Sequence, residues 1–338
     1  MLLIKGKIER FVLRMIRLTK LIVFLLLFAP MAFGQKTVYV STSFHEPANE
    51  GLRFIYSTDG YRWDSIPGTW LAPKVGSQKV MRDPSLTQSP DGTFHLVWTS
   101  SWRGDLGFGY SKSKDLIHWS KEQFIPVMKD EPTTVNVWAP EIFYDDTKAQ
   151  FVVVWASCIP GRFPNGQEEA KNNHRLYYIT TKDFKTISKA KLFYDPGFSS
   201  IDATIVKRGK SDYVLVFKDN TRPNRNIKVA FSKSPIGPYS KASEAFTESF
   251  TEGPTVEKVG SDYLIYFDAY QKFAYGAVRT KDFVHFEDIS NKVNVPVGHK
   301  HGTIFKAPES LVQGLKANYE ISQKQKKATA EKAVTSIQ

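Results

Sequence analysis

One cysteine in 338 residues excludes an internal disulfide framework and any zinc module built on clustered thiolates. Long helical periodicity is missing between residues 36 and 310, where short apolar or alternating runs are split by Gly, Asp, Asn and Pro, an all-β signal. No dense basic block occurs there, so nucleic acid is not an expected partner. The chain is also short of long apolar runs. Leu21–Phe28 has eight residues, well under the roughly 20 needed to span a bilayer. It follows Lys5, Lys7, Arg10, Arg14, Arg17 and Lys20 and precedes Ala32-Phe33-Gly34. That order reads as a secretory signal over residues 1–34, cleaved before Gln35, with the true start at Met1 or Met15. The expected destination is the periplasm or the exterior. No cysteine follows the apolar run, so neither a lipid anchor nor any other stable membrane anchor is expected. Losing residues 1–34 removes six bases and one acid, which takes the net charge from +12 to +7. Several remaining lysines (Lys316, Lys324, Lys326, Lys327, Lys332) fall in a tail over 311–338, expected as a surface helix or a disordered extension.

What is present is a repeat. A strand leading into a polar turn and an aromatic reads Tyr56-Ser-Thr-Asp-Gly-Tyr-Arg-Trp63, Tyr110-Ser-Lys-Ser-Lys-Asp-Leu-Ile-His-Trp119 and Tyr178-Ile-Thr-Thr-Lys-Asp-Phe184. It returns loosely from Phe231 to Tyr239 and clearly as Ala277-Val-Arg-Thr-Lys-Asp-Phe-Val-His-Phe286. The copies start 46 to 68 residues apart, a spacing that suits propeller blades. An apolar strand ending in an aromatic precedes each copy, as in Phe94–Trp98, Phe151–Trp155, Tyr213–Phe217 and Tyr263–Phe267, with Thr37–Val40 as the first counterpart. A third element opens each unit: Asp83-Pro-Ser-Leu86, Ala139-Pro-Glu-Ile142, Asp202-Ala-Thr-Ile205, Gly253-Pro-Thr-Val256 and His301-Gly-Thr-Ile304.

Four units hold all three elements in order, whereas the N-terminal unit lacks its first strand and 301–305 has nothing after it. Docking 301–305 beside 37–58 completes a fifth blade and removes an exposed edge. The expectation is an all-β, five-bladed β-propeller over residues 35–310, closed by pairing of the N- and C-terminal strands. First strands of blades line the central axis, so Asp83, Asp202 and His301 share one column, with Glu252 one residue before it and Glu141 two residues on from Ala139. All five are expected at one mouth of the ring. A lone acid there is most simply a turn cap, but several on one axis need another reason, because like charges repel when desolvated.

Arg82-Asp-Pro-Ser-Leu86, Val137-Trp-Ala-Pro-Glu-Ile142, Ser200-Ile-Asp-Ala-Thr204, Thr251-Glu-Gly-Pro254 and His301-Gly-Thr303, in this order, resemble glycoside hydrolase family 43 over essentially the whole body. The resemblance implies an inverting hydrolase of polysaccharide or oligosaccharide side chains, with Asp83 as general base, Asp202 as the residue tuning the acid's pKa and Glu252 as general acid. An exo-acting, arabinofuranosidase-like enzyme on a furanoside or xyloside is the first expectation, acting as a monomer. Glu141 stands where that family commonly has Asp, and is expected to line the site and bind substrate, with Arg82, Trp102 and Trp138. Inverting chemistry independently needs one ionised and one protonated carboxyl with room for water between them, roughly 6.5–9.5 Å apart. No cofactor is required. Calcium or another ion on the axis, held through His301 as in members of that family, stands beside a purely hydrogen-bonded His301. The loop from Cys158 to Asn173 has the length to block one side of the groove, and Cys158 itself reads as a partly buried thiol. Two competing readings are a carbohydrate-binding propeller without turnover and a retaining fructan hydrolase. The second is disfavoured because Glu252 is followed by Gly253, not by cysteine.

Overall fold

The computed structural model describes residues 36–335; the expected signal over 1–34 lies outside the described residues. Five antiparallel sheets form the body. The first joins both ends of the body in the order β19 (Ile304–Pro308), β1 (Thr37–Ser43), β2 (Leu52–Ser57), β3 (Trp63–Leu71). The second holds β4 (Arg82–Gln88), β5 (Phe94–Thr99), β6 (Phe108–Ser113) and β7 (Gln123–Ile125), and the third β8 (Trp138–Asp145), β9 (Gln150–Cys158), β10 (His174–Thr181) and β11 (Lys191–Tyr194). The fourth has three strands, β12 (Ser200–Gly209), β13 (Asp212–Asp219) and β14 (Asn226–Ser232), and the fifth comprises β15 (Thr251–Val259), β16 (Asp262–Ala269), β17 (Ala274–Thr280) and β18 (Phe286–Asp288). The chain is thus the five-bladed propeller its repeats predict. Closure occurs as expected, with Val38 opposite Ala307 and Val40 opposite Phe305. The closing strand begins at Ile304, three residues later than the motif starts, so His301 sits in the segment that leads into it.

Second strands read as continuous apolar runs because both their faces are covered. Along β9, Val153 and Trp155 pack toward the second blade with Phe108 and Tyr110, while Val152 and Val154 pack toward the fourth with Leu215 and Phe217. The same period-two division recurs around the ring, giving a separate core between each pair of neighbouring blades. Trp98, Trp155 and Phe108 are fully buried in these cores, as packing residues.

The polar turn of the repeat has a local cause. In four copies a Ser or Thr ends the third strand, and the Asp two residues on accepts hydrogen bonds from two following amides. These are Asp59 from Tyr61 and Arg62, Asp115 from Ile117 and His118, Asp183 from Lys185 and Thr186, and Asp282 from Val284 and His285. The fourth blade has Ser234-Pro235 there, and it is the blade without a fourth strand. After β19 one helix, α1 (Glu309–Thr335), buries Val312 and Leu315 against the first blade and then continues with lysine-rich, exposed faces. No helix among the described residues is long and apolar enough to cross a membrane.

Candidate active site

The site rests on one backbone irregularity used four times. At the start of each inner strand of blades two to five, a residue in the left-handed region breaks the ladder: Asp83 (φ 51°), Ala139 (45°), Asp202 (49°) and Gly253 (58°). The register slips at the same step each time, between Arg82 and Ser85, Trp138 and Glu141, Ile201 and Thr204, and Glu252 and Thr255. Such a bulge bends the strand and re-aims its side chains, here toward the mouth. Non-glycine residues rarely adopt this conformation, so its repetition at two aspartates marks a position held for use rather than for folding ease. Gly253 is required for a second reason: a Cβ there would stand 2.0 Å from Cγ of His301.

Arg82, Asp83, Trp102, Trp138, Asp202, Glu252 and His301 line one cleft of about 420 Å³ together with Ile201. Seven of the eight expected site residues therefore converge. Glu141 does not line this cleft but shares an adjoining axial pocket with Asp83, Asp202 and His301. Two residues further down its strand it lies roughly 6–7 Å deeper, in an axial pocket beneath the cleft. There Ser85 Oγ donates to Oε2 of Glu141 at 2.5 Å and Thr204 Oγ1 to its Oε1 at 2.7 Å. These hydrogen bonds make Glu141 a strut between blades two, three and four as well as part of the pocket wall.

Asp83 is held ionised. Burial raises its carboxyl, but hydrogen bonding from His301 and the charge of Arg82 overcome this and bring it down to about 2. His301 Nε2–H donates to Asp83 Oδ1 at 2.9 Å, and Nδ1–H to Asp268 Oδ2 at 2.6 Å. Carboxylates only accept, so both ring nitrogens carry protons. Burial opposes the imidazolium, yet Asp268 and Asp83 raise the ring well above its ordinary value. The Thr99 hydroxyl supplies Asp83 Oδ2 with a further donor at 2.7 Å.

The other two acids divide differently. Lys218, almost fully buried, donates from Nζ to Glu252 Oε2 at 2.8 Å and lies 4.9 Å from the centre of the Tyr270 ring. Burial raises Glu252, but Lys218 outweighs it and holds the carboxyl below its usual range. Asp202 accepts one amide hydrogen bond, from Gly253 at 3.1 Å. Burial, with the charges of Glu252 and Asp83, pushes it up to about 6 against the pull of Lys218. The two acids are thus driven in opposite directions, Asp202 up by burial and Glu252 down by Lys218.

An ion held through His301 would need a neutral ring nitrogen with its lone pair free. Glu252, Asp268 and His301 do present ligand atoms within 4.8 Å of one another. However, both nitrogens of His301 already donate to carboxylates, and Lys218 already serves Glu252. These residues do not fit an ion bound through His301.

The walls are aromatic. The Arg82 guanidinium lies 3.9 Å from the Trp102 ring centre and pairs with Glu46. Trp138 Nε1–H donates to the Trp102 carbonyl at 2.9 Å, and the Trp138 ring stacks on His174 at 4.9 Å. The loop after Cys158 contributes Glu168, which pairs with His174 and accepts from Ser199 and from Asn220. This loop thus backs Trp138 instead of standing free. Cys158 is buried, and burial raises its thiol.

Sequence reasoning missed Thr99, Lys218 and Asp268 as partners of the acids. A signal for them exists. Each follows the strand-end aromatic of its repeat (Trp98, Phe217, Phe267), and each is register-paired with the residue just before the bulge: Arg82–Thr99, Ile201–Lys218, Glu252–Asp268. Aligned as a column, like the openings of the first strands, these three positions fall at the mouth.

Comparison with known proteins bears on this geometry. A family model described as a probable glycosyl hydrolase domain, related to family 43, matches residues 35–309. An α-L-arabinofuranosidase of Bifidobacterium longum subsp. longum is 23% identical over 150 residues, 38% of this chain and 14% of that protein, so the match spans a small part of the relative. Among solved structures, a thermostable family-43 glycoside hydrolase superposes with a TM-score of 0.50 at 14% identity, covering 64% of this chain and 74% of that one. The α-L-arabinofuranosidase from Lactobacillus brevis gives 0.50 at 18% identity, over 62% of this chain and 72% of its own. At these identities the likeness is one of fold.

Proposed function

The chain belongs to this glycosyl hydrolase family related to family 43 and is a glycosidase, and we propose that it hydrolyses glycans with inversion, removing a terminal furanose or xylose unit. Arabinofuranose is the first choice, in keeping with the names of the relatives. The observation that carries the reading is three carboxyls in one cleft in opposed environments: Asp83 held low by His301 and Arg82, Asp202 raised by burial, and Glu252 lowered by Lys218. Inversion needs this pairing, a base to activate water and an acid to protonate the leaving oxygen.

Asp83 takes the proton from water, and His301, itself charged, fixes its orientation. Glu252 delivers the proton to the leaving oxygen, with the nearby Asp202 tuning its acidity by charge. A sugar hydroxyl competing for Lys218 would release Glu252 to hold that proton. Trp102, half exposed, and Trp138 offer ring faces to the sugar. The basic leader with its apolar run supports export to the periplasm or the exterior.

The test is hydrolysis by the mature protein of arabinan, arabinoxylan, galactan and furanosyl aryl glycosides. Proton NMR should find the first-formed sugar inverted at its anomeric carbon. Asp83→Asn and Glu252→Gln should each lower kcat/KM by at least about 100-fold. Full activity of either variant refutes the role of that residue as base or acid, and sugar affinity without turnover in the unaltered protein favours a binding propeller.

A further inference from the structure

We infer that the groove between the β16–β17 turn and residues 293–300 is the subsite for the leaving sugar units, with Phe273 as its stacking platform. The inference rests on the glycosidase reading and adds the direction in which the substrate chain runs.

The acid of a glycosidase stands beside the oxygen that departs, so the leaving chain lies on the acid's side of the cleft. Glu252 projects from β15 in the fifth blade and is register-paired with Asp268 on β16. Asp268, buried, holds His301 on the cleft side and lines the groove on the other, and Lys300 of the groove is next in sequence to His301, so the two spaces are neighbours separated by one side chain. The far side of the cleft is walled by Trp102 and Trp138, the latter backed by His174. A terminal sugar bound between that wall and the carboxylates has its next unit directed toward the fifth blade and this groove.

The groove holds about 310 Å³, at the lower end of the range of about 300–1,000 Å³ usual for ligand sites. Its rim carries Phe273, 87% exposed, and Val297, 94% exposed. Apolar rings and branches left in water beside a catalytic cleft suit the apolar face of a sugar ring. Tyr275 and His299 form part of the wall, and both nitrogens of His299 are engaged by Ser43 and Ser65. Lys300, with Nζ 3.9 Å from Asp268, is the cation positioned to donate to sugar hydroxyls.

The experiment compares arabinotriose with methyl α-L-arabinofuranoside, and xylotriose with methyl β-D-xyloside, in the full chain and in the Phe273→Ala and Val297→Ser variants. Methanol is too small a leaving group to reach the groove. For whichever pair is cleaved, Phe273→Ala should lower the ratio of kcat/KM on the trisaccharide to that on the methyl glycoside roughly tenfold, the worth of one stacking contact. Val297→Ser should lower it in the same sense and by less. An unchanged ratio in both variants overturns the subsite while leaving the glycosidase intact. No cleavage of any of the four by the full chain overturns the proposed substrate class and the subsite with it.

Discussion

Glu141 offers the most direct test of how the axis is built. Its carboxyl is raised by burial from 4.5 to about 7, against the stabilising hydroxyls of Ser85, Thr204 and Thr303. A group whose folded pKa exceeds its unfolded value contributes stability in full below the unfolded pKa. That contribution is lost as pH rises through the folded one. At about 1.4 kcal/mol per pKa unit, the swing between pH 4.5 and 7 is at most roughly 3 kcal/mol. Glu141 is only partly shielded from solvent, and screening lowers this figure. Gln reproduces the shape and neutrality of the protonated acid, with one acceptor for a hydroxyl and donors for another. Glu141→Gln should therefore match the unaltered protein near pH 5 and exceed it at pH 8. In a domain of this size the gap amounts to roughly 5 °C in melting temperature. Asp202 titrates in both proteins and cancels in the difference. Thermal melts at pH 5 and pH 8, read by tryptophan fluorescence, give the result. Parallel stability curves for the two proteins across that interval would refute the reasoning.

Two further outcomes follow from the cleft. Lys218→Met removes the cation 2.8 Å from Glu252, an attraction of roughly 6 kcal/mol at an effective dielectric of about 20 before the cost of burying the lysine. The acid limb of the site should then hold its proton to higher pH, moving the alkaline limb of the kcat/KM profile up by about one unit or more; an unmoved limb would show that Lys218 does not govern the proton. Gly253→Ala places a methyl 2.0 Å from His301 Cγ at a φ of 58°, so the imidazole must leave its place between Asp83 and Asp268. Activity should fall at least about 100-fold with the fold retained by circular dichroism, and unaltered kinetics would mean that His301 does not orient the base.

The ring was legible from the sequence because it repeats. Four copies of the turn and four of the apolar strand are each dictated locally, by Asp side chains capping amides and by two buried faces, and so recur in recognisable form. The column of Asp83 and Asp202 was legible for the same reason. The left-handed bulge was not, since it occurs at Asp, Ala, Asp and Gly in turn, residues with little in common in backbone preference. The depth of Glu141 followed from that omission: once the strand is bent at Ala139, two residues of rise lead down the axis and away from the mouth. Blade four's missing strand left a trace only in Ser234-Pro235, where the capping Asp of the other copies is absent.

The distribution of protons was beyond any motif because it depends on groups that meet only through the ring. Five carboxylates (Glu46, Asp83, Asp202, Glu252, Asp268) face four cations (Arg82, Lys218, Lys300, His301) at the cleft and its rim. Each cation has its own acid: Arg82 pairs with Glu46, His301 serves Asp83 and Asp268, Lys300 lies near Asp268, and Lys218 serves Glu252. Asp202 is left with one backbone amide and no ion pair. With all of these acids ionised the set carries one uncompensated negative charge, which a buried site tolerates poorly. Asp202 is the acid with no cation of its own, and its carboxyl is the one pushed up, to about 6. A motif that names Asp202 and Glu252 as modulator and acid does not say what separates their acidities; Lys218, 34 residues from Glu252 in sequence, does so by holding Glu252 down.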